Sequence, residues 1–377
     1  MKLPLLFILT IIGIKLSAAA LEYDDAANQS IRARPLFNKA DTNNDWKLTA
    51  QDGVDPAQLS ALDTNKDGVV TYQEYSNNLD IPYEPWNGEV LRNIVYKRKD
   101  GRTLLMDIYR KSSTPSTAQP VLYFVHGGGW SGGIKEPNQR MLELFQRATE
   151  SGFSCVAVNY RLVRNWDLND PVIMRDCVID VKDGLRFLKK NAEELRVNPD
   201  KVIVIGFSAG GHLAQMLNYT EPTDFKGATT LANYSIKPAG GISWYGPSDF
   251  TEDKLFESDD AVHLKFKPGS WQKLVDKTSV PLTYATATPH QKDLLKEVSP
   301  TTYIDASDPP MLALHGTIDP VISFHHLEHL KEVANSKGAP IQTIAVENAP
   351  HGWYGKNLSP QWPDLLDHMV DFMQRIR

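Results

Sequence analysis

The sequence predicts an α/β protein in which a mostly parallel sheet is covered by helices on both faces and is preceded by a small helical module. Three observations carry this. From residue 89 to the C-terminus, an opening pair of strand-like runs is followed by strand-like runs separated mostly by helix-length segments, the pattern of a mostly parallel sheet covered on both faces. The pentapeptide Gly206-Phe207-Ser208-Ala209-Gly210 separates the apolar run 201–205 from the helix-forming run 211–217, giving strand, sharp turn and helix in succession. Residues 41–74 hold an imperfect repeat of loops rich in Asp and Asn, unlike anything after it.

At 377 residues the chain exceeds a typical single domain, so one large domain plus a small module is expected. Hydrophobic content of 41% and charged content of 23% are ordinary for a globular protein and argue against a mainly disordered chain. The formal charge is -6, and Lys2 and Lys15 fall in a leader, so the rest of the chain is more acidic still. That balance argues against a nucleic-acid partner. Met1-Lys2, the apolar stretch 3–14 and the small residues 18–20 compose a signal peptide over residues 1–20, and Lys15 leaves the stretch too short to span a bilayer comfortably. The expected destination is secretion or the periplasm. Cys155 falls in a predicted strand and Cys177 in a predicted helix. Buried free thiols are the preferred state, with pairing in an exported chain left open.

The helical module is expected over residues 30–80. Residues 63–74, Asp-Thr-Asn-Lys-Asp-Gly-Val-Val-Thr-Tyr-Gln-Glu, fit the twelve-residue EF-hand calcium loop position by position. Oxygen ligands fall at Asp63, Asn65 and Asp67, followed by Val69 and Thr71, with Gly68 at the sharp turn and Glu74 closing the sphere. Calcium is a hard cation that takes six to eight oxygens, which short side chains alternating around a tight loop deliver. The first copy offers Asp41, Asn43, Asp45, Lys47 and Asp52, but Trp46 replaces the turn glycine and Asp52 is one methylene shorter than glutamate. It predicts a weaker calcium site. Leu48 and Val70 hold the same loop position, so the two loops are expected to pair through a short strand, with a connecting helix near 56–62. The arrangement resembles short-spaced EF-hand pairs and the dockerin repeat of exported bacterial proteins, which implies calcium-dependent protein docking as a further role.

Residues 81–88, with Pro82, Pro85 and Gly88, read as a linker. Strands are then expected at 90–97, 104–109, 121–126, 155–160, 202–206, 241–245, 311–315 and 341–346. Helices are expected at 140–150, 173–195, 209–218, 325–335 and 363–377. Eight strands with the serine turn after the fifth match the α/β-hydrolase order.

Four motifs now carry a resemblance: His126-Gly127-Gly128-Gly129-Trp130, Gly206-Phe207-Ser208-Ala209-Gly210-Gly211-His212, His315-Gly316-Thr317-Ile318-Asp319 and Pro350-His351-Gly352. From about residue 89 onward the chain resembles α/β-hydrolase esterases of the acetyl esterase, feruloyl esterase and hormone-sensitive-lipase-like group. It departs from the hormone-sensitive lipases, which usually carry an acidic residue where Phe207 stands and a helical cap where the EF-hand pair lies. The missing cap tilts the expected substrate toward short-acyl, acetyl-type esters, including those of polysaccharides.

A serine hydroxyl is a weak nucleophile at neutral pH and needs a base to take its proton. Ser208 is the candidate nucleophile, His351 the base on a loop after the last strand, and Asp319 the acid that fixes the imidazole, in the chain order expected of this fold. The resemblance implies an oxyanion hole from the amides of Gly128, Gly129 and Ala209. Asp249 is the runner-up acid. His126 and His212 are expected to orient the glycine loop and pack behind the nucleophile, and His315 to be structural. His325, His326 and His329 share one helix, and 325 and 329 have metal-ligand spacing, but a solvated helix face is preferred because no carboxylate or cysteine motif completes a site. Trp130 is left open between lining the substrate and packing. Residues 247–300, with Phe256, Phe266, Trp271 and Tyr284, are left open between a partial lid and satellite packing.

The expected function is therefore an exported serine carboxylic-ester hydrolase that needs no metal for its chemistry, with calcium in the N-terminal loops. A serine peptidase of the same fold is the alternative enzyme, but the roughly 90 preceding residues leave no room for the propeller such enzymes usually add. A calcium-dependent binding protein on a hydrolase scaffold is the non-enzyme alternative.

Overall fold

The structure, a computed structural model, describes residues 21–43, 47–78, 84–111, 115–164, 167–256, 275–276, 283–355 and 357–376. The expected leader, Asp45 and Trp46 of the first loop, residues 81–83 of the expected linker, and Phe266 and Trp271 lie outside the described residues.

The large domain is an eight-stranded sheet. It opens with the hairpin β3 (Glu89–Lys99) and β4 (Arg102–Arg110) and continues through β5 (Gln119–Val125), β6 (Ser154–Val158), β7 (Val197–Phe207), β8 (Gly240–Trp244), β9 (Met311–Gly316) and β10 (Ile341–Val346). The spatial order is β10-β9-β8-β7-β5-β6-β4-β3. β3 and β4 are antiparallel to their neighbours and the other six strands run parallel. This is the α/β-hydrolase fold.

Side-chain alternation along the central strands builds two cores. Val121, Tyr123 and Val125 face α5 (Met174–Lys190) and α6 (Ala209–Tyr219), whereas Leu122 and Phe124 face α4 (Gln139–Glu150) and the C-terminal helix Trp362–Ile376. Val202 and Val204 join the first core and Ile203 and Ile205 the second. Cys177 belongs to the first core and Cys155 to the second, so the two thiols are free, buried and on opposite faces of the sheet.

Some boundaries moved. The helix expected over 173–195 stops at Lys190, where the Asn191 amide turns back to donate to the Phe187 carbonyl at 2.8 Å. β7 starts at Val197 rather than 202, because Val197 pairs with Gln119 before a register shift. A helix not expected, α7 (Pro289–Glu297), sits inside the segment 247–300. It is opened by a capping box between Thr288 and Gln291.

Ahead of the sheet, α1 (Asp25–Ala40) leads into β1 (Lys47–Leu48), α2 (Pro56–Leu62) into β2 (Val70–Thr71), and α3 (Tyr72–Asn78) follows. Leu48 pairs with Val70 in an antiparallel ladder, and both side chains pack on Phe37 in a small separate core. The unit begins ahead of residue 30, since α1 starts at Asp25. It is joined to the hydrolase domain by more than a linker. Tyr23 bridges Ile94, the Asp24 N–H donates to the Asn93 carbonyl at 3.0 Å, and the Val95 N–H donates to the Glu22 carbonyl at 2.7 Å. Further in, Asn28 donates to Glu136 at 3.1 Å and Arg32 lies 3.4 Å from the same carboxylate.

Glu136 follows Lys135, whose ammonium is fully buried 2.9 Å from an equally buried Asp107 carboxylate. Asp107 also accepts the Asn93 N–H at 2.7 Å. Replacing Asp107 by Ala leaves a buried cation with only Glu136 to face it, and is expected to cost about 3–5 kcal/mol. Urea denaturation should show the midpoint falling accordingly; an unchanged midpoint would mean the pair does not support the fold.

Candidate active site

Ser208 stands between β7 and α6 with φ 55° and ψ -123°, a left-handed conformation that a side chain adopts only at a cost. The turn is held by two backbone bonds: the Ser208 N–H donates to the Trp244 carbonyl at 2.9 Å, and the His212 N–H donates to the Ser208 carbonyl at 3.0 Å. Gly206 and Gly210 permit it by proximity. A Cβ on Gly206 would lie 2.1 Å from the Gly210 carbonyl oxygen, and one on Gly210 would lie 2.1 Å from the Val125 carbonyl oxygen. Strand, turn and helix therefore close directly on the end of β5.

The His351 Nε2 is 3.1 Å from the Ser208 Oγ, and its Nδ1 is 2.7 Å from the Asp319 Oδ2. Asp319 lies just past β9 and its side chain is fully buried, while the His351 side chain is 21% exposed and open to a substrate. The Asp319 Oδ1 accepts the N–H groups of Val321 and Ile322 at 2.8 and 3.0 Å, and His315 places its Nε2 3.5 Å from Oδ2. Burial pushes the Asp319 carboxyl up, but the hydrogen bonds from His315 and His351 prevail and hold it below the usual carboxylate range. Tyr245, unremarked in the sequence, packs its ring edge on the His351 imidazole, 4.5 Å between centroids. Its only advance signal was its place as the last residue of the expected strand 241–245.

The glycine loop follows β5, beside β7 in the sheet. Gly128, Gly129 and Trp130 all have positive φ, and the Gly128 carbonyl accepts the N–H groups of Ser131 and Gly132 at 3.2 and 2.9 Å. A Cβ on Gly129 would meet nothing within 4 Å, so that backbone faces open space. Ala209 is the first residue of α6, where helix N–H groups lack an intrahelical acceptor. Trp130 is buried, donating from its indole to His212 Nδ1 at 3.2 Å and packing edge-on to Phe250, so it packs rather than lines a cleft. His212 uses its Nε2 toward the Val298 carbonyl at 2.7 Å, and burial lowers its pKa to about 4. His126 stacks on Tyr160, lies 2.7 Å through Nδ1 from the Gly127 carbonyl, and is likewise lowered to about 4 by burial. Both rings stay neutral.

Asp249 does not reach His351. Its carboxylate accepts from Thr251 and Thr301 and lies 3.1 Å from the His329 Nε2. The helix α8 (His325–Lys337) corrects the expected solvated histidine face. His326 is buried with Ser248 against it, His329 is turned to Asp249, and His325 pairs with its own neighbour Glu328 at 2.9 Å. The three point to different partners, so no shared metal position results. Of the candidate lid aromatics, Phe256 is buried beside Phe250 and His326, and Tyr284 packs on the same core.

The two N-terminal loops repeat their bonding as well as their sequence. In the second, Glu74 Oε1 accepts the Thr64 hydroxyl at 3.0 Å and the Asn65 N–H at 3.3 Å, while Oε2 accepts the Thr71 N–H and hydroxyl at 3.0 and 2.8 Å. In the first, Asp52 Oδ1 accepts from Thr42 and Oδ2 accepts the Thr49 N–H at 2.9 Å. Asp63 accepts the Gly68 N–H at 2.8 Å, and Gly68 makes the turn with φ 83°. Among the described residues no three acidic, histidine or cysteine side chains converge as a metal cluster. The oxygen-only donor set and the closed loop nonetheless suit a hard cation. The Thr71 N–H and hydroxyl draw Glu74 down to about 2, below its ordinary value of 4.5. Its contribution to the folded unit is thus fully present above pH 4.5 and fades as the pH falls toward 2.

The sheet order and the serine, histidine and aspartate meeting at its strand ends define the class, an α/β-hydrolase with a strand–serine–helix turn. The chain belongs to the BD-FAE family, whose model matches residues 106–333. The probable carboxylic ester hydrolase LipM of Mycobacterium tuberculosis is 30% identical over 254 residues, 67% of this chain and 50% of the relative. Esterase LipQ of the same organism is 26% identical over 280 residues, 73% of this chain and 56% of the relative. The chain thus spans about half the length of the curated relatives it matches. Among solved structures, a truncated carbohydrate esterase from gut microbiota superposes with a TM-score of 0.60 at 21% identity, covering 76% of this chain and 95% of that one. The propionate-bound esterase Est2 of Thermogutta terrifontis gives 0.59 at 24% identity, covering 77% and 94%. These two likenesses show the fold.

The glycines at the turn and in the loop are constrained differently, and this can be measured. Gly210→Ala forces backbone against backbone and is expected to cost about 3 kcal/mol or more. Gly129→Ala has room and meets only the positive φ, costing about 1–2 kcal/mol. Equal midpoint shifts for the two variants in thermal unfolding would contradict this difference.

Proposed function

We propose that the protein is a serine carboxylic-ester hydrolase working through an acyl-enzyme on short-acyl esters. The observation that carries the reading is the continuous hydrogen-bonded chain from Ser208 through His351 to Asp319. The names of the curated relatives, a probable carboxylic ester hydrolase and an esterase, support it.

In this reading the Ser208 Oγ attacks the ester carbonyl as its proton passes to His351 Nε2, and Asp319 stabilises the imidazolium through Nδ1. The amides of Gly128, Gly129 and Ala209 receive the oxyanion; losing one such donor typically costs ~3 kcal/mol in the transition state. On collapse the alcohol departs with the proton from His351. Water then gives a proton to His351 as its oxygen attacks the acyl carbon; on collapse the bond to Ser208 Oγ breaks, His351 returns the proton to that oxygen, and the carboxylic acid leaves. The acyl group is acetyl-like and the alcohol a small molecule or a carbohydrate, in keeping with the lipase cap missing from the sequence.

The N-terminal loops hold calcium outside this chemistry. Asp63, Asn65, Asp67, Val69, Thr71 and Glu74 form the stronger site, and Asp41, Asn43, Asp45, Lys47 and Asp52 the weaker. Bound calcium supplies positive charge that offsets the clustered carboxylates and thereby stabilises the unit. The unit also offers a face for calcium-dependent protein docking. Residues 1–20 direct export to the periplasm or the medium.

With p-nitrophenyl esters from acetate to long acyl chains, the expected result is preference for short chains. Ser208→Ala and Asp319→Ala should lower kcat by on the order of 10³-fold or more. Asp249→Ala should act on stability rather than on kcat. Equal activity in wild type and Ser208→Ala would remove Ser208 as the nucleophile, and loss of kcat in Asp249→Ala alone would transfer the acid role to it.

Protein recovered outside the cell is expected to begin near residue 21 by N-terminal sequencing and to bind calcium by calorimetry. Glu74→Gln should weaken that binding and abolish the rise in melting temperature that calcium produces. EDTA should leave most ester hydrolysis intact. An undiminished calorimetric signal in Glu74→Gln would refute the assignment of the stronger loop.

A further inference from the structure

A cavity of about 450 Å³ lies where the N-terminal unit meets the hydrolase domain, a volume within the range of small-molecule sites. One wall is Ala27, Ser30 and Ile31 of α1 with Tyr72 of α3; the facing wall includes Arg102–Leu104, Ser131–Gly133 and residues 159–164. Its place in the sheet is the informative part. β4 runs antiparallel to β6, with Met106 opposite Val158, so Arg102 at the start of β4 lies at the end where the parallel strands finish. Ser208 and the glycine loop occupy that same end. Ser131 to Gly133 are also wound back on the glycine loop: Ser131 Oγ donates to the Gly129 carbonyl at 3.1 Å, and a Cβ on Gly133 would lie 2.3 Å from the Gly127 carbonyl oxygen.

We infer that this cavity is the subsite for the alcohol portion of the ester and that Ile31 and Tyr72 of the N-terminal unit set its size; the inference rests on the ester-hydrolase reading above. The lining identifies the occupant by its chemistry. The lining includes residues with hydroxyl and amide groups, Ser30, Thr103, Ser131 and Asn159, together with the apolar Ile31 and Leu162. Asn159 is buried, its Oδ1 is taken by the Lys135 N–H at 2.8 Å, and its Nδ2 has no acceptor among the described residues. All three guanidinium groups in the wall face carboxylates, Arg161 those of Asp100, Asp176 and Asp180, and Arg102 and Arg164 that of Asp170. Such a wall takes a neutral group with several hydroxyls and a C–H face, of sugar size, in preference to an anion.

The test compares the full chain and its Ile31→Trp variant on two acetates, ethyl acetate and glucose pentaacetate, both followed by acid release. Filling the cavity should raise KM for the sugar ester by on the order of tenfold while leaving kcat/KM for ethyl acetate within about twofold. Ile31→Ala, which widens the cavity without crowding, should shift KM for the sugar ester alone. Equal effects on the two acetates, or none on either, would overturn the inference. Calorimetry of xylobiose with the Ser208→Ala protein separates the two readings: binding that Ile31→Trp removes supports the subsite even if no ester is hydrolysed. Binding that is absent, or indifferent to Ile31→Trp, rejects it.

Discussion

The closeness of β7 and α6 to the end of β5 is the constraint on which the rest of the site depends. Gly206, Gly210 and the Val125 carbonyl share a space that admits no Cβ, and this contact forces the chain at Ser208 into the left-handed region. Such a conformation costs about 1–2 kcal/mol and persists only where its surroundings overdetermine it. Here the Trp244 carbonyl holds the Ser208 N–H, and the first bond of α6 holds the Ser208 carbonyl. The hydroxyl is therefore displayed by backbone packing, independent of the imidazole that meets it. The same contact sets the start of α6 beside the loop that leaves β5, with Gly210 against the Val125 and His126 carbonyls.

The aspartate is positioned by a comparable local device. Two backbone N–H groups hold one carboxylate oxygen, leaving the other for histidine. A carboxylate fixed in this way offers its partner a defined direction, and His351 needs only the loop after β10 to reach it. Tyr245, at the end of β8, fills the space beside the imidazole. Ser208, Tyr245, Asp319 and His351 thus follow four successive neighbours in the sheet, β7, β8, β9 and β10, so the parallel order itself aligns the site.

Much of this was readable from residue types. Short strand-like runs marked all eight strands of the large sheet, the central ones almost wholly apolar because they are buried on both faces. The pairing of Leu48 with Val70 followed from their equal places in a repeated loop. What escaped were features decided by distant parts of the chain. The burial of His326 depends on Ser248 and Phe256, far away in sequence, and no helical spacing records them. The attachment of residues 22–24 to β3 is a backbone bond pattern with little side-chain signature, and it covers an edge that the strand pattern left exposed. The helix 289–297 had a local sign, Thr288 three residues ahead of Gln291, that was lost in a segment of mixed composition. Asp249 and Asp319 both sit past strand ends, and only the path of the His351 loop separates them.

The sheet also decides what its two cysteines can do. Cys155 on β6 points to one core and Cys177 on α5 lies in the other, with the sheet between them and burial raising both thiols well above their usual range. Neither is poised as a thiolate, and neither can meet the other without taking the domain apart. In the folded domain the two thiols therefore stay apart, and the sheet and its helices hold their arrangement with no disulfide between them. A bridge between Cys155 and Cys177 would have to form before the sheet comes between them, so an oxidised pair would mark a chain that has not reached this fold.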